Sequence, residues 1–151
     1  MNRWRPQRLI TVKAIGLLWR EGRLLAAEVR DDAGQPTGVR PPGGSVAFGE
    51  TAEDAVIREF QEELGLAVTP VGPPEVVRNI YVHEGAPGHE IIFVFRLAWA
   101  EGQLPASAAF GFEEDDGTVM RAGWYDPTEL DRPGGPQLFP AGLMALLADM
   151  L

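Results

Sequence analysis

No cysteine occurs anywhere in the chain, which removes disulfides, thiolate metal sites and cysteine nucleophiles from consideration and fits a cytoplasmic protein. An excess of basic charge is missing too. Twenty-two acidic residues face 13 basic ones, a formal net charge of −9, and duplex DNA or RNA as main partner normally needs the opposite sign. A small polyanion remains compatible where bound cations mediate. No apolar run approaches the ~20 residues that cross a bilayer; the longest, "IIFVFRLAWA", is strand-like and broken by Arg96. The opening "MNRWRPQR" is basic but lacks a following signal-peptide apolar region, so residues 1–7 read as a loosely ordered lead-in.

What is present is an ordinary soluble composition, 45% hydrophobic and 23% charged over 151 residues, expected to form one domain with a real core. "LITVKAIGLLWR" and "GRLLAAEVR" read as two strands across a Glu-Gly turn. Through Gly43 and Gly44 the chain enters a short segment, "SVAF". A helix is expected from Thr51 to about Leu64, capped near Thr51, acidic in its first turn and stopped by Gly65. A strand follows the prolines of "VTPVGPPEVVRNIYVHE", and "GHEIIFVFRLAWAEG" forms another after a hairpin loop. "ASAAFGFEEDDG" reads as a long acidic loop, "TVMRAGWYD" as a last strand, and "LFPAGLMALLADML" as a terminal helix. Strands, helix, strands, helix favour an α+β fold, a mixed sheet with helices on its faces.

Within the first helix, "REFQEELG" crowds Glu59, Glu62 and Glu63 into five residues. At about 100° per residue they share an arc of about 100° with Ala52 and Ala55, while Val56, Phe60 and Leu64 form the adjacent core stripe. Like charges at this spacing weaken a helix by a few tenths of a kcal/mol per pair, roughly. Acidic runs are in general solvated faces. Here the arc carries no basic residue to mix the sign, and it borders the core, where unpaired charge is costly. Hard divalent cations resolve both conflicts, since Mg²⁺ and Mn²⁺ take carboxylate oxygens and share the site with phosphates.

The surrounding stretch "GSVAFGETAEDAVIREFQEELGL" runs Gly44, five residues, Glu50, seven residues, then Arg58-Glu59-Phe60-Gln61-Glu62-Glu63-Leu64-Gly65-Leu66. It resembles the Nudix box, Gx5Ex7REUxEExGU, at every specified position, with an aromatic Phe60 at a slot more often aliphatic. A chance match is on the order of one in a million per chain. The resemblance to the Nudix hydrolase superfamily implies an α/β/α sandwich around a mixed sheet. It also implies Mg²⁺- or Mn²⁺-dependent hydrolysis of a nucleoside diphosphate linked to another moiety. Carried over by residue, it makes Glu59, Glu62 and Glu63 metal carboxylates, with the Gly43 carbonyl often joining them. Arg58 orients one of them, and Glu50 is a ligand through water or a partner within the loop. The general base is either a box glutamate or a carboxylate of "FEEDDG", where Glu114 is favoured ahead of Glu113.

Specificity in the superfamily is set outside the box. Arg40, in "VRPPGG", either clamps a phosphate, stacks on a base, or forms a salt bridge at the loop base. Arg78, Tyr81 and His83 line the cleft or face solvent, and neither spacing nor company makes His83 and His89 a metal pair. Trp19, Trp99 and Trp124 sit in apolar, core-like contexts. The expected substrate is a small nucleotide, a nucleoside triphosphate or an ADP-ribose-like compound, and a homodimer is possible. A non-catalytic nucleotide sensor is the competing class, against which the intact carboxylate set speaks. An isomerase of the superfamily usually needs a cysteine, and a cap-removing enzyme a basic RNA path, neither of which this chain offers.

Overall fold

The computed structural model describes residues 4–104, 109–113 and 119–150. The described residues form, in chain order, β1 (Ile10–Leu17), β2 (Trp19–Arg20), β3 (Arg23–Arg30), β4 (Pro36–Arg40), β5 (Gly43–Ser45), α1 (Ala52–Leu64), β6 (Val68–His83), β7 (Ala86–Trp99), β8 (Ala109–Glu113), β9 (Val119–Tyr125), a 3-10 turn (Pro127–Glu129), β10 (Gln137–Leu138) and α2 (Leu143–Met150). One sheet has the order β5-β1-β7-β6, in which β1 and β7 run parallel and the other neighbours antiparallel. The second has the order β10-β4-β3-β9-β8, with β2 joined to β3.

Strand alternation sorts the apolar side chains onto two faces. Ala14, Leu18, Leu25, Ala27, Phe95 and Leu97 pack with Val56 and Phe60 of α1. Their sequence neighbours Ile15, Leu17, Leu24, Ala26, Ile92 and Val94 pack with Leu143 and Leu147 of α2. Strands buried on both faces read as near-continuous apolar runs, which is why "AIGLL" and "RLLAA" show no alternation. The result is the expected helix–sheet–helix layering. Among the described residues no helix is long and apolar enough to cross a membrane.

The α1 helix keeps its expected bounds. Thr51 accepts from the Asp54 amide at the start, and Gly65, at φ 65°, donates back to the last turn. Several other elements depart from expectation. β6 begins at Val68, before the prolines rather than after them. It is an edge strand, and its register shifts between Val71 and Glu75, so Pro73 and Pro74 sit in an irregularity where the ladder needs no donor from them. The acidic loop contains β8, whose Phe110 and Phe112 alternate onto the α1-side core. β5 comprises Gly43–Ser45 rather than "SVAF". Of the three tryptophans read as core, Trp124 is buried, while Trp19 and Trp99 are half-buried. Arg20 lies over the stacked Trp99 and Trp124 rings, 5.1 and 4.7 Å from their centroids, a contact that keeps its charge at the edge of an apolar cluster.

Phe60 is fully buried between α1 and the sheet. Phe60→Ala is expected to destabilise the protein by about 3–5 kcal/mol. Urea denaturation would show this as a lower midpoint at an unchanged slope.

Candidate active site

Every α1 carboxylate of interest lies in the second half of the helix, where the backbone dipole disfavours negative charge; the last turn holds no basic residue. The compensation comes from Arg58. Its Nε and Nη2 donate to the two oxygens of Glu50 at 2.8 and 2.9 Å. Nη2 also reaches the Ser45 carbonyl at 3.1 Å. Nη1 donates to Glu59 Oε1 at 3.0 Å and to Glu62 Oε2 at 3.2 Å. A guanidinium has five N–H donors in a rigid fork, and all five are used. One cation thus ties the loop before α1, the β5 backbone and two helix carboxylates together.

Glu59 is the buried charged side chain among the described residues, 9% exposed. It follows Ala55 by one turn on the helix flank facing β5. Gly44 leaves it the room: a Cβ there would stand 2.5 and 2.7 Å from the Glu59 oxygens. Gly43 has φ 155° and its Cβ would overlap the Ala14 carbonyl of β1, so neither position admits a side chain. Gly43 and Gly44 therefore each have a local cause, one backbone against backbone and one backbone against carboxylate.

The loop carboxylate Glu50 also accepts from the Ala47 amide at 3.1 Å. The Arg58 hydrogen bonds, aided by that amide, hold its pKa down at about 2. The guanidinium of Arg58 is correspondingly raised, first by Glu50 and further by Glu59. Glu50 thus has partners both in its own loop, at Ala47, and on the helix, at Arg58.

Glu59 and Glu62 each give Arg58 one oxygen and retain the other, while Glu63, half-buried, has an interaction of its own. Among the described residues no three acidic or histidine side chains converge tightly enough to hold a metal as they stand. Donor type and placement nevertheless fit a hard divalent cation. Two carboxylates meet on one Arg58 nitrogen, beside a glycine-only backbone whose carbonyls are the oxygen donors such ions take. Glu114, with Asp115 and Asp116, lies outside the described residues, and Glu113 ends β8.

The expected substrate contacts divide. Tyr81 and His83 lie on the face of β6 that includes Val77, which packs toward α2. Arg78 is out of phase with them and points to the α1 side. Arg40, exposed at the end of β4, lies close enough to Tyr81 to act on its hydroxyl. Burial, and then the Glu90 carboxylate, push that hydroxyl up to about 12 against the opposing pull of Arg40. His83 is held edge-to-face by Trp4, 5.4 Å between centroids. Sequence reasoning passed over Thr11, Lys13, Asn79 and Glu90, which share the Tyr81 face. The available signal was period-two polarity in "TVK" and "NIYVH". A cavity of about 290 Å³ lies elsewhere, lined by Glu28, Thr37, Val39, Tyr125, Gly134 and Pro136; no α1 carboxylate reaches it.

Comparison with known proteins agrees with this architecture. A family model described as NUDIX domain matches residues 8–144. A MutT NUDIX hydrolase from Burkholderia pseudomallei is similar at 26% identity, over 93% of this chain and 98% of that one, with a TM-score of 0.58. A MutT protein from Methanosarcina mazei Go1 shares 20% identity over 98% and 95% of the two chains, with a TM-score of 0.63. An ADP-ribose pyrophosphatase from Streptococcus suis 89-1591 shares 16% over 94% and 92%, with a TM-score of 0.53. The last two likenesses show the fold alone. No curated protein matches significantly.

The low Glu50 pKa makes a signed prediction. A carboxyl held below its ordinary value of 4.5 stabilises the fold above that pH and ceases to do so as pH falls through about 2. Glu50→Gln should therefore lower Tm at neutral pH. Its difference from the unmodified protein should shrink as thermal scans descend from pH 4.5 towards 2; a gap independent of pH would show that the ion pair is not its source.

Proposed function

The chain belongs to the NUDIX domain family and is a Nudix-type pyrophosphohydrolase, and we propose that it hydrolyses the diphosphate linkage of a small nucleotide with Mg²⁺ or Mn²⁺ as cofactor. A nucleoside triphosphate or an ADP-ribose-like compound is the substrate class. The observation that carries this reading is the Arg58 hub: one guanidinium holding Glu59 and Glu62 side by side against the side-chain-free Gly43–Gly44 edge.

Glu59, Glu62 and Glu63, with the Gly43 carbonyl, would hold the cation. Bound there, it supplies neutralisation of the phosphoanhydride oxygens and a lowered pKa for an attacking water. The chain's own residues do the positioning that phosphoryl chemistry chiefly needs. Arg58 keeps two carboxylates from splaying apart, and Glu50 keeps Arg58 in register with β5. The missing side chains at positions 43 and 44 let phosphate approach the backbone. Glu114, favoured over Glu113, is the proposed base that takes the proton of the attacking water, a role that demands hydrogen-bond reach to it. Arg40 of the second sheet and Tyr81 of the first, near enough for the charge of the one to act on the hydroxyl of the other, are proposed to contact substrate with His83. The proposed setting is the cytoplasm, with a free nucleotide as substrate rather than duplex nucleic acid or a membrane; the chain is read as one domain, and a homodimer is compatible.

A panel of nucleoside triphosphates and nucleoside diphosphate conjugates, assayed in Mg²⁺ and Mn²⁺ with products identified, tests the reading. Glu62→Gln keeps the size and one Arg58 acceptor while removing a charge, and should cut kcat by about 10²–10³-fold with far-UV circular dichroism unchanged. Turnover near that of the unmodified protein at saturating Mg²⁺ would remove Glu62 from the site.

A further inference from the structure

Three neighbouring strands in register carry polar residues onto the face of the first sheet opposite α1. Thr11 of β1 pairs with Glu90 of β7, and Glu90 pairs with Asn79 of β6. Lys13 lies two residues along β1 on the same face, and Tyr81 occupies the next row of β6, its ring so close over Gly88 that a Cβ there would collide with it. These groups form neither core nor open surface: the Lys13 and Glu90 side chains are 24% and 14% exposed. Asn79 Nδ2 donates to Glu90 Oε1 at 3.1 Å, fixing the carboxylate in place. Lys13 Nζ stands 3.8 Å from Glu90 Oε2, an ion pair too long for a hydrogen bond. A held carboxylate and an ammonium therefore sit side by side with donor and acceptor capacity to spare, a costly arrangement for a half-buried pair that serves only structure.

The floor adjoins the carboxylate site. Lys13 pairs with Ser45 of β5, whose carbonyl is held by Arg58, and Gly44 beside it meets Glu59. Neighbouring strands lie about 5 Å apart, so the floor begins one strand from the phosphate side. β5 is the sheet edge, and its two glycines put no side chain in the way of a molecule crossing from one face to the other.

We propose that Glu90 and Lys13 read the base of the nucleotide and select guanine. A carboxylate is best met by two parallel N–H donors. Guanine presents two adjacent donors, N1–H and the 2-amino group, next to the O6 carbonyl that an ammonium requires. The corresponding edges of adenine, cytosine and uracil lack the paired donors. In the complex Glu90 accepts from N1–H and the 2-amino group, Lys13 donates to O6, and Asn79 stays on Glu90 as the positioning residue.

This assignment rests on the nucleotide reading above, and a metal-free binding experiment separates the two. Isothermal titration of the full-length protein in EDTA with GMP, IMP, AMP, CMP and UMP measures base recognition without hydrolysis. GMP should bind about tenfold more tightly than AMP, CMP or UMP, with IMP, which lacks the 2-amino donor, in between. Glu90→Gln should bring GMP down to the level of AMP, and Lys13→Met should narrow the gap between them. Equal affinities for GMP and AMP, IMP binding as well as GMP, a preference surviving Glu90→Gln, or no binding of any mononucleotide at millimolar concentration would each overturn the proposal. A GMP preference in EDTA with no metal-dependent hydrolysis of any nucleotide would leave base reading intact and sink the hydrolytic assignment.

Discussion

Charge of one sign has been concentrated where a helix tolerates it least, and one arginine makes that possible. Glu59, Glu62 and Glu63 occupy the carboxyl-terminal half of α1, against the dipole and with no basic residue in the last turn. Arg58 answers with five hydrogen bonds, two of them into the carboxylate group and three into the loop and strand that precede it. A lysine has the charge but not the fork, and cannot hold Glu50 bidentately while reaching Glu59. The same contact that offsets the repulsion fixes the loop geometry, so electrostatics and architecture are here a single feature.

That feature explains why the glycines stand where they do. Pulling the loop onto Arg58 presses β5 against α1 until the Glu59 carboxylate occupies the space of a Gly44 side chain. On its other side β5 presses on β1, which leaves none for a side chain at position 43. Two glycines, a buried glutamate and an arginine are then mutually required. The edge strand they form has a bare backbone, the surface a phosphate and its cations can approach most closely.

How much of this was legible beforehand depended on whether the signal was local. The helix, its Thr51 cap and its Gly65 stop follow from chemistry within a few residues, and the structure places them where the sequence did. The carboxylate arc was likewise visible from 100° spacing. What the arc did not disclose is that Ala55 and Glu59 are buried, because burial there is imposed by β5, a partner brought in by tertiary contact. β8 was hidden in an acidic stretch whose alternating phenylalanines were outvoted by their charged successors. β6 was cut short by prolines that an edge strand with a register shift accommodates. Arg78 was grouped with Tyr81 and His83 although an odd spacing on a strand sends side chains to opposite faces.

The polar floor was missed for a related reason. Lys13, Glu90 and Asn79 belong to three separate strands, and only the parallel pairing of β1 with β7 brings the first two together. Parallel pairing requires a long crossover, here through β2 to β5, α1 and β6, so no local window holds both residues. Yet the two halves of the site are tied by that same topology. The segment linking β1 to β7 is the one that carries the Gly43–Gly44 edge and the helix carboxylates, and it returns to the sheet beside Lys13 through the Lys13–Ser45 pair. A substitution that loosened the Arg58 hub would therefore free β5 from α1 and shift the floor and the carboxylates relative to each other. On the proposed reading, phosphate placement and base placement would be coupled through one three-residue strand.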